Sequence, residues 1–151
     1  MDIQNSQQPE TTSDERLFGM LSHLSVFLGG IILPIIIWAT QKDKSKFVRF
    51  HSLQAIFFQI AYAALVILFV LFLVMVLLIS GLGLSALEKS GGESLSPLMI
   101  IILIILYGGI FLFVIGGISY SVYLAVKTYN GYLIKVPVIG KIIYGKVYEQ
   151  S

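Results

Sequence analysis

"KFVRFHSLQAIFFQI", residues 46–60, sets Lys46, Arg49, His51, Ser52, Gln54 and Gln59 at the head of an apolar run that meets no charged residue before Glu88. Polar groups crowded at one end of such a run belong among lipid headgroups, and the apolar remainder belongs in hydrocarbon. Lys42, Lys44, Lys46 and Arg49 therefore read as anchors on one membrane face. On a helical wheel Ser52, Ala55, Gln59 and Tyr62 share a side. Small and hydrogen-bonding residues in that arrangement let a second membrane helix approach closely.

Two further stretches, residues 17–41 and 94–126, also lack Asp, Glu, Lys and Arg. Each exceeds the roughly 18 residues that suggest a transmembrane helix. The whole chain of 151 residues is 57% hydrophobic and 12% charged, whereas a soluble domain is about a quarter charged. The expected class is an all-α integral membrane protein with three apolar helical segments, at about 17–41, 46–80 and 97–126, within one helical domain over 14–126. The polar, acidic start lacks the basic opening of a secretory signal, so the first apolar segment is expected to stay in the mature protein.

Local signals set the boundaries. Residues 1–13 have nothing to bury and read as a disordered polar tail. Thr12 and Glu15 have the spacing of a capping box. The first segment is broken at Gly29-Gly30 and Pro34, and each half, about 16–18 Å long, is too short to cross about 30 Å of hydrocarbon. The halves either stack into one kinked span or form a re-entrant hairpin. Ser45 can cap the second helix, Ser80-Gly81-Leu82-Gly83 suits its end, and Ser96-Pro97 suits the start of the third. After Asn130-Gly131, the spacing of Val138, Ile139, Ile142, Ile143 and Val147 fits a short basic segment in the interface, within a cytoplasmic tail over 127–151.

Eight of the ten basic residues fall in the 42–49 loop or after Val126. The positive-inside rule then makes those parts cytoplasmic and the 85–96 loop external, in a multi-pass protein of the plasma or inner membrane. The side of the N-terminus depends on whether the first segment spans.

Few residues carry chemistry. His23 and His51 are ionisable groups in apolar surroundings, and Gln54 could line a polar path; each also has an ordinary structural role open to it. Gly109 and Gly116 lie seven apart on one face of the third segment and would admit another backbone. There is no cysteine, no acidic residue inside an apolar segment, no phosphate-binding loop and no nucleophile–base pair. No catalytic, cofactor-binding or metal-binding set is expected, and neither is nucleic-acid binding. The expected partners are the lipid bilayer and another membrane protein or further copies of the chain. The first functional reading is a non-enzymatic interaction or assembly subunit; the alternative is a small homo-oligomeric pore or carrier lined by His23, His51, Gln54 and Gln59.

"FVRFHSLQAIFFQI", the opening "ERLFGMLSHLSVFLGG…LPIIIWATQKDKSKFV" and the closing "NGYLIKVPVIGKI" together resemble the twenty-kilodalton subunit of the chloroplast inner-envelope protein translocon and its small prokaryotic relatives. The resemblance covers about Glu15 to Ile142. It implies an all-helical membrane domain with the 42–49 loop and the C-terminus on one side, and an association with protein translocation, without assigning an activity to any residue.

Overall fold

The computed structural model describes residues 10–88 and 97–149. The expected disordered tail and the 85–96 loop therefore fall largely outside the described residues. All regular structure in the described residues is helical: α1 (Ser13–Leu24), α2 (Ile32–Gln41), α3 (Lys46–Glu88), α4 (Pro97–Tyr129) and α5 (Ile139–Tyr144). The chain divides into two compact units, one formed by Met1–Ala61 with Gly117–Ser151 and the other by Tyr62–Gly116.

In the first unit α1 begins at a full capping box. The Glu15 amide donates to Thr12 Oγ1 and the Thr12 amide to Glu15 Oε2, at 3.3 and 2.8 Å. The helix stops because Gly29 and Gly30 take φ of 120° and 61°, conformations that cost side-chain-bearing residues free energy. The amides of Leu28 and Gly30 both donate to the Ser25 carbonyl. Pro34 breaks nothing. It lies in the first turn of α2, where its missing amide would have had no partner in the helix.

The chain reverses at the glycines, and α2 packs back on α1. Ser45, just past α2, lies close enough to Glu15 at the start of α1 to help lower the pKa of its carboxyl, so the two helices form a hairpin. The first apolar segment is therefore not one stacked span. Of its two parts only α2 is apolar throughout, and it is ten residues long.

The expectation of three apolar segments thus gives way to two helices long and apolar enough to cross a membrane, Lys46–Val76 within α3 and Leu103–Tyr129 within α4. Ser45 caps α3 through the Val48 amide at 3.2 Å. The helix does not end at Ser80-Gly81-Leu82-Gly83 but runs to Glu88; glycine is tolerated in apolar helices, whose backbone bonds have no water to turn to. α4 starts at Pro97 and ends where Gly131 adopts φ of 83°.

Beyond α4 an extended strap, residues 132–137, leads to a tight turn at Val138, which has φ 65° and ψ −65°. There the Ile139 amide donates to the Pro137 carbonyl at 2.8 Å. α5 and one wider turn, Gly145–Glu149, follow. This end of the chain is not simply laid in an interface. Ile143 and Val147 are buried against Phe50 of α3, with Tyr144 and Tyr148 packed around them. Only Val138 and Ile142 of the apolar set are strongly exposed.

The second unit is a pair of helical stretches. The Tyr62 hydroxyl donates to the Phe113 carbonyl at 2.8 Å, and the two rings stack at 5.0 Å. Its surface is apolar, with Leu68, Leu78, Ile104 and Leu112 all more than 60% exposed. Surface of that kind far exceeds what a soluble monomer presents to water.

A buried polar cluster as candidate functional site

The spacing of Phe47, His51, Gln54 and Ala55 puts them on one side of α3. That side is buried completely or nearly so. His51 is the centre. Its Nδ1 lies 3.2 Å from Nε2 of His23 on α1 and 3.2 Å from Oγ1 of Thr128 on α4. All three side chains are buried, so one polar cluster joins three helices.

The Thr128 hydroxyl also lies 2.8 Å from the Leu124 carbonyl, which accepts from it, and the tautomers of His51 and His23 set which of the two facing ring nitrogens donates. The outer atom, His51 Nε2, has no partner of hydrogen-bonding geometry, although the backbone of Tyr132 lies near enough to act on it. Phe47 and Phe50 box the imidazole at ring distances of 4.5 and 5.1 Å.

A glycine makes this approach possible. A Cβ on Gly19, one turn before His23, would stand 2.6 Å from Thr128 Cγ2 and 3.2 Å from Phe47 Cε1. A side chain there would push α1 off the other helices.

The cluster continues through hydrogen bonds of the same structural kind. Gln59 Nε2 donates to Ser25 Oγ at 2.6 Å, and Ser25 Oγ donates to the Ser22 carbonyl at 2.7 Å. Ser52 Oγ returns to the carbonyl of Val48 in its own helix. Gln54 holds the C-terminal strap at two points: its Nε2 donates to the Ile134 carbonyl and its Oε1 accepts from the Val136 amide, both at 3.0 Å. A Cβ on Gly140 would lie 2.6 Å from both Gln54 Oε1 and the Lys135 Cα. The strap therefore closes over Gln54 only because residue 140 has no side chain.

Of the residues expected to matter, the fold brings His23, His51, Gln54, Ser52, Ala55 and Gln59 into one unit. It does not arrange them around a lumen, since the two glutamines and the histidine pair are bonded to other parts of the chain. Gly109 and Gly116 meet no close backbone: a Cβ on Gly109 would reach only Phe69 Cζ at 4.0 Å, and one on Gly116 would meet nothing within 4 Å. Lys42, Lys44 and Lys46 are exposed and Arg49 is half-buried. Lys42 Nζ sits 5.3 Å above the Trp38 ring. The sequence reading missed Gly19, Thr128 and Gly140. The four-residue spacing of Gly19 and His23 was a usable signal for the first, whereas Thr128 in a generic apolar helix gave none.

Chemically, two imidazoles and a hydroxyl with no carboxylate or thiol beside them are a cross-brace. Among the described residues no three His, Cys, Asp or Glu side chains come together, and two histidines do not close a metal site. The charged groups lie at the rim. There the Glu15 carboxyl would be raised by its partial burial, but hydrogen bonds from Ser45 and Thr12 outweigh this and hold it below the ordinary value. Burial, with Tyr144 and Glu15 close by, pushes the Tyr148 hydroxyl up to about 12.

No curated protein and no solved structure matches the chain. One protein family does, over residues 14–143: the magnetosome magnetite crystal formation protein family, MamF/MmsF. This match overturns the resemblance to the chloroplast translocon subunit. The stretches that carried it, a basic loop before "FVRFH" and a Gly…Pro-x-Ile-Gly close, are here the entry to α3 and the strap over Gln54. With a match that spans the hairpin, both long helices and the strap, the chain belongs to the magnetosome magnetite crystal formation (MamF/MmsF) family.

Proposed function

We propose that the chain is a non-enzymatic integral protein of the magnetosome membrane that acts in magnetite crystal formation, with its folded unit on the cytoplasmic side. The observation that carries this reading is the division of labour among side chains. The groups able to do chemistry, His23, His51 and Thr128, are buried and bonded to one another. What the protein presents outward is apolar surface on α3 and α4 and a basic rim. Such a surface suits anchoring and assembly. Nine of the ten basic residues, all but Lys89, belong to the unit formed by Met1–Ala61 and Gly117–Ser151. This concentration supports the cytoplasmic placement of that unit. The translocation reading loses its support with the resemblance on which it rested. The pore reading loses its lining residues to internal hydrogen bonds.

The test is made in a magnetite-forming bacterium whose chromosomal copy has been removed and replaced. Crystal dimensions measured by electron microscopy should change on removal and return with the wild-type chain. They should also return with His23→Gln and with His51→Asn, which keep a hydrogen-bonding atom near the original position but cannot do acid–base chemistry near neutral pH. Loss of crystal control in both conservative variants, with normal amounts of protein in the membrane, would overturn the non-enzymatic reading. Recovery of the wild-type chain in the soluble fraction would overturn the membrane reading.

A further inference from the structure

The α1–α2 hairpin has an outer surface that nothing among the described residues covers. Phe27, Leu28, Ile32 and Ile36 are each more than half exposed. They lie at the closed end of the hairpin and along α2. The cations Lys42, Lys44, Lys46 and Arg49 lie at its open end. Ten residues of α2 measure about 15 Å, half of a hydrocarbon core of about 30 Å. A second ruler agrees: Ser25, at the closed end, is bonded to Gln59, which lies ten residues or about 15 Å beyond Arg49 along α3. On α3, flanking Gln59, Phe57 and Ile60 are about half exposed as well. With the cations among anionic headgroups, the tip of the hairpin reaches the middle of the bilayer and stops.

From this geometry, and resting on the membrane reading above, we infer that the α1–α2 hairpin is a re-entrant wedge in the leaflet on the side of the basic loop, so that the protein favours bilayers convex on that side. The occupant of the apolar face is the acyl chain region of the bilayer that α3 and α4 cross. The hairpin adds two helical stretches, α1 and α2, beside α3 in the leaflet it enters. A helix with its side chains is about 10–12 Å across. Each extra helix therefore occupies about 80–110 Å² of one leaflet and nothing in the other. Two such cross-sections inserted into one leaflet only are accommodated with least strain where that leaflet lies on the outside of a curve. A small closed vesicle with the basic rim outward offers that curvature.

The experiment uses the full chain in giant vesicles of phosphatidylcholine and phosphatidylglycerol, from which narrow tubes are pulled. Protein oriented with its basic rim outward should be enriched on the tube relative to a lipid dye, with a ratio above one. The triple variant Phe27→Asn, Leu28→Asn, Ile32→Asn should bring the ratio back to one. An unenriched wild-type protein would overturn the wedge. Labelling gives an independent reading that does not depend on that variant, since the chain has no native cysteine. In sealed native membrane vesicles, cysteines placed at Glu10 and Lys44 should react with an impermeant maleimide from the same side, and one at Leu28 should be protected. Reaction of Glu10 and Lys44 from opposite sides, or free reaction at Leu28, would overturn the re-entrant hairpin. Release of the whole protein by alkaline carbonate would instead overturn the membrane reading on which the wedge rests.

Discussion

Substitution of Gly140 by alanine should release the C-terminal strap from α3 while leaving the rest of the fold in place. The added Cβ would lie 2.6 Å from the Lys135 Cα, 2.7 Å from the Lys135 carbonyl carbon and 2.6 Å from Gln54 Oε1. Two of the three obstacles are backbone, so no rotamer change relieves them. Overpacking of this kind costs about 1–3 kcal/mol. Moving the strap away also weakens the two hydrogen bonds that Gln54 makes to it, each contributing about 1 kcal/mol. Alanine's better helix propensity returns up to about 1 kcal/mol. The balance is a loss of about 2–4 kcal/mol in the stability of the closed strap, or roughly a thirty- to thousand-fold rise in its open population. Hydrogen exchange reads this directly at the Val136 amide, which donates to Gln54. In nanodiscs, Val136 should exchange roughly 30–1,000 times faster in Gly140→Ala, with the amides of α4 unchanged. Gly145→Ala is the control, because a Cβ there would meet only the flexible Glu149 carboxylate at 3.3 Å. Equal exchange at Val136 in wild type and Gly140→Ala would refute the claim that space, rather than helix propensity, dictates glycine at this position.

Gln54→Leu should open the same strap by leaving the Ile134 carbonyl and Val136 amide without their partner, at about 1–3 kcal/mol; combined with Gly140→Ala its effect should be clearly less than additive in the same exchange measurement. Gly19→Leu should separate α1 from Thr128, because a Cβ there would stand 2.6 Å from Thr128 Cγ2, and is read as a lower midpoint of thermal unfolding in detergent, whereas Ser13→Ala, on the exposed first turn, should leave the midpoint unchanged. Thr12→Ala removes the cap of α1 and should cost about 1 kcal/mol, read as a lower midpoint of thermal unfolding in detergent. Because Glu15 is held below its ordinary value in the folded chain, its contribution is present above the unfolded carboxyl range and is lost as pH falls through the folded value; the wild-type midpoint should therefore drop towards acid pH and that of Glu15→Gln should drop less. Tyr62→Phe removes a bond to the Phe113 carbonyl in apolar surroundings, where such bonds average about 0.6 kcal/mol, so the thermal midpoint should fall slightly and the helical content measured by circular dichroism should not change.

The parts of the fold that were legible in the sequence are those set by local rules. The Thr12–Glu15 box, the Ser45 cap, the proline at the start of α4 and the Asn130-Gly131 turn depend on residues within a few positions of one another, and each is observed. The first apolar segment was less legible because a glycine pair in an apolar run fits a kink and a reversal equally well. The packing of α2 back on α1 decides between them, and no pattern within the segment encodes it. The same limit applies to the polar cluster. His23 and His51 stood out singly as costly residues in apolar surroundings, but their pairing needs α1 folded back beside α3 and Thr128 delivered from α4. Gly140 reads as an ordinary helix glycine until the strap it admits has been seen.

The hydrogen bonds of the cluster also set an order of events during synthesis. His51 waits 77 residues for Thr128 and Gln54 waits 82 for Val136. At about 5–20 residues per second this is a delay of about 4–16 s, long compared with the microseconds in which a helix forms. Through that interval α1, α2 and the start of α3 exist with His51 and Gln54 lacking their partners in α4 and the strap. The insertion machinery or a chaperone must tolerate or shelter this intermediate, and a ribosome stalled shortly before residue 128 would hold the protein in it.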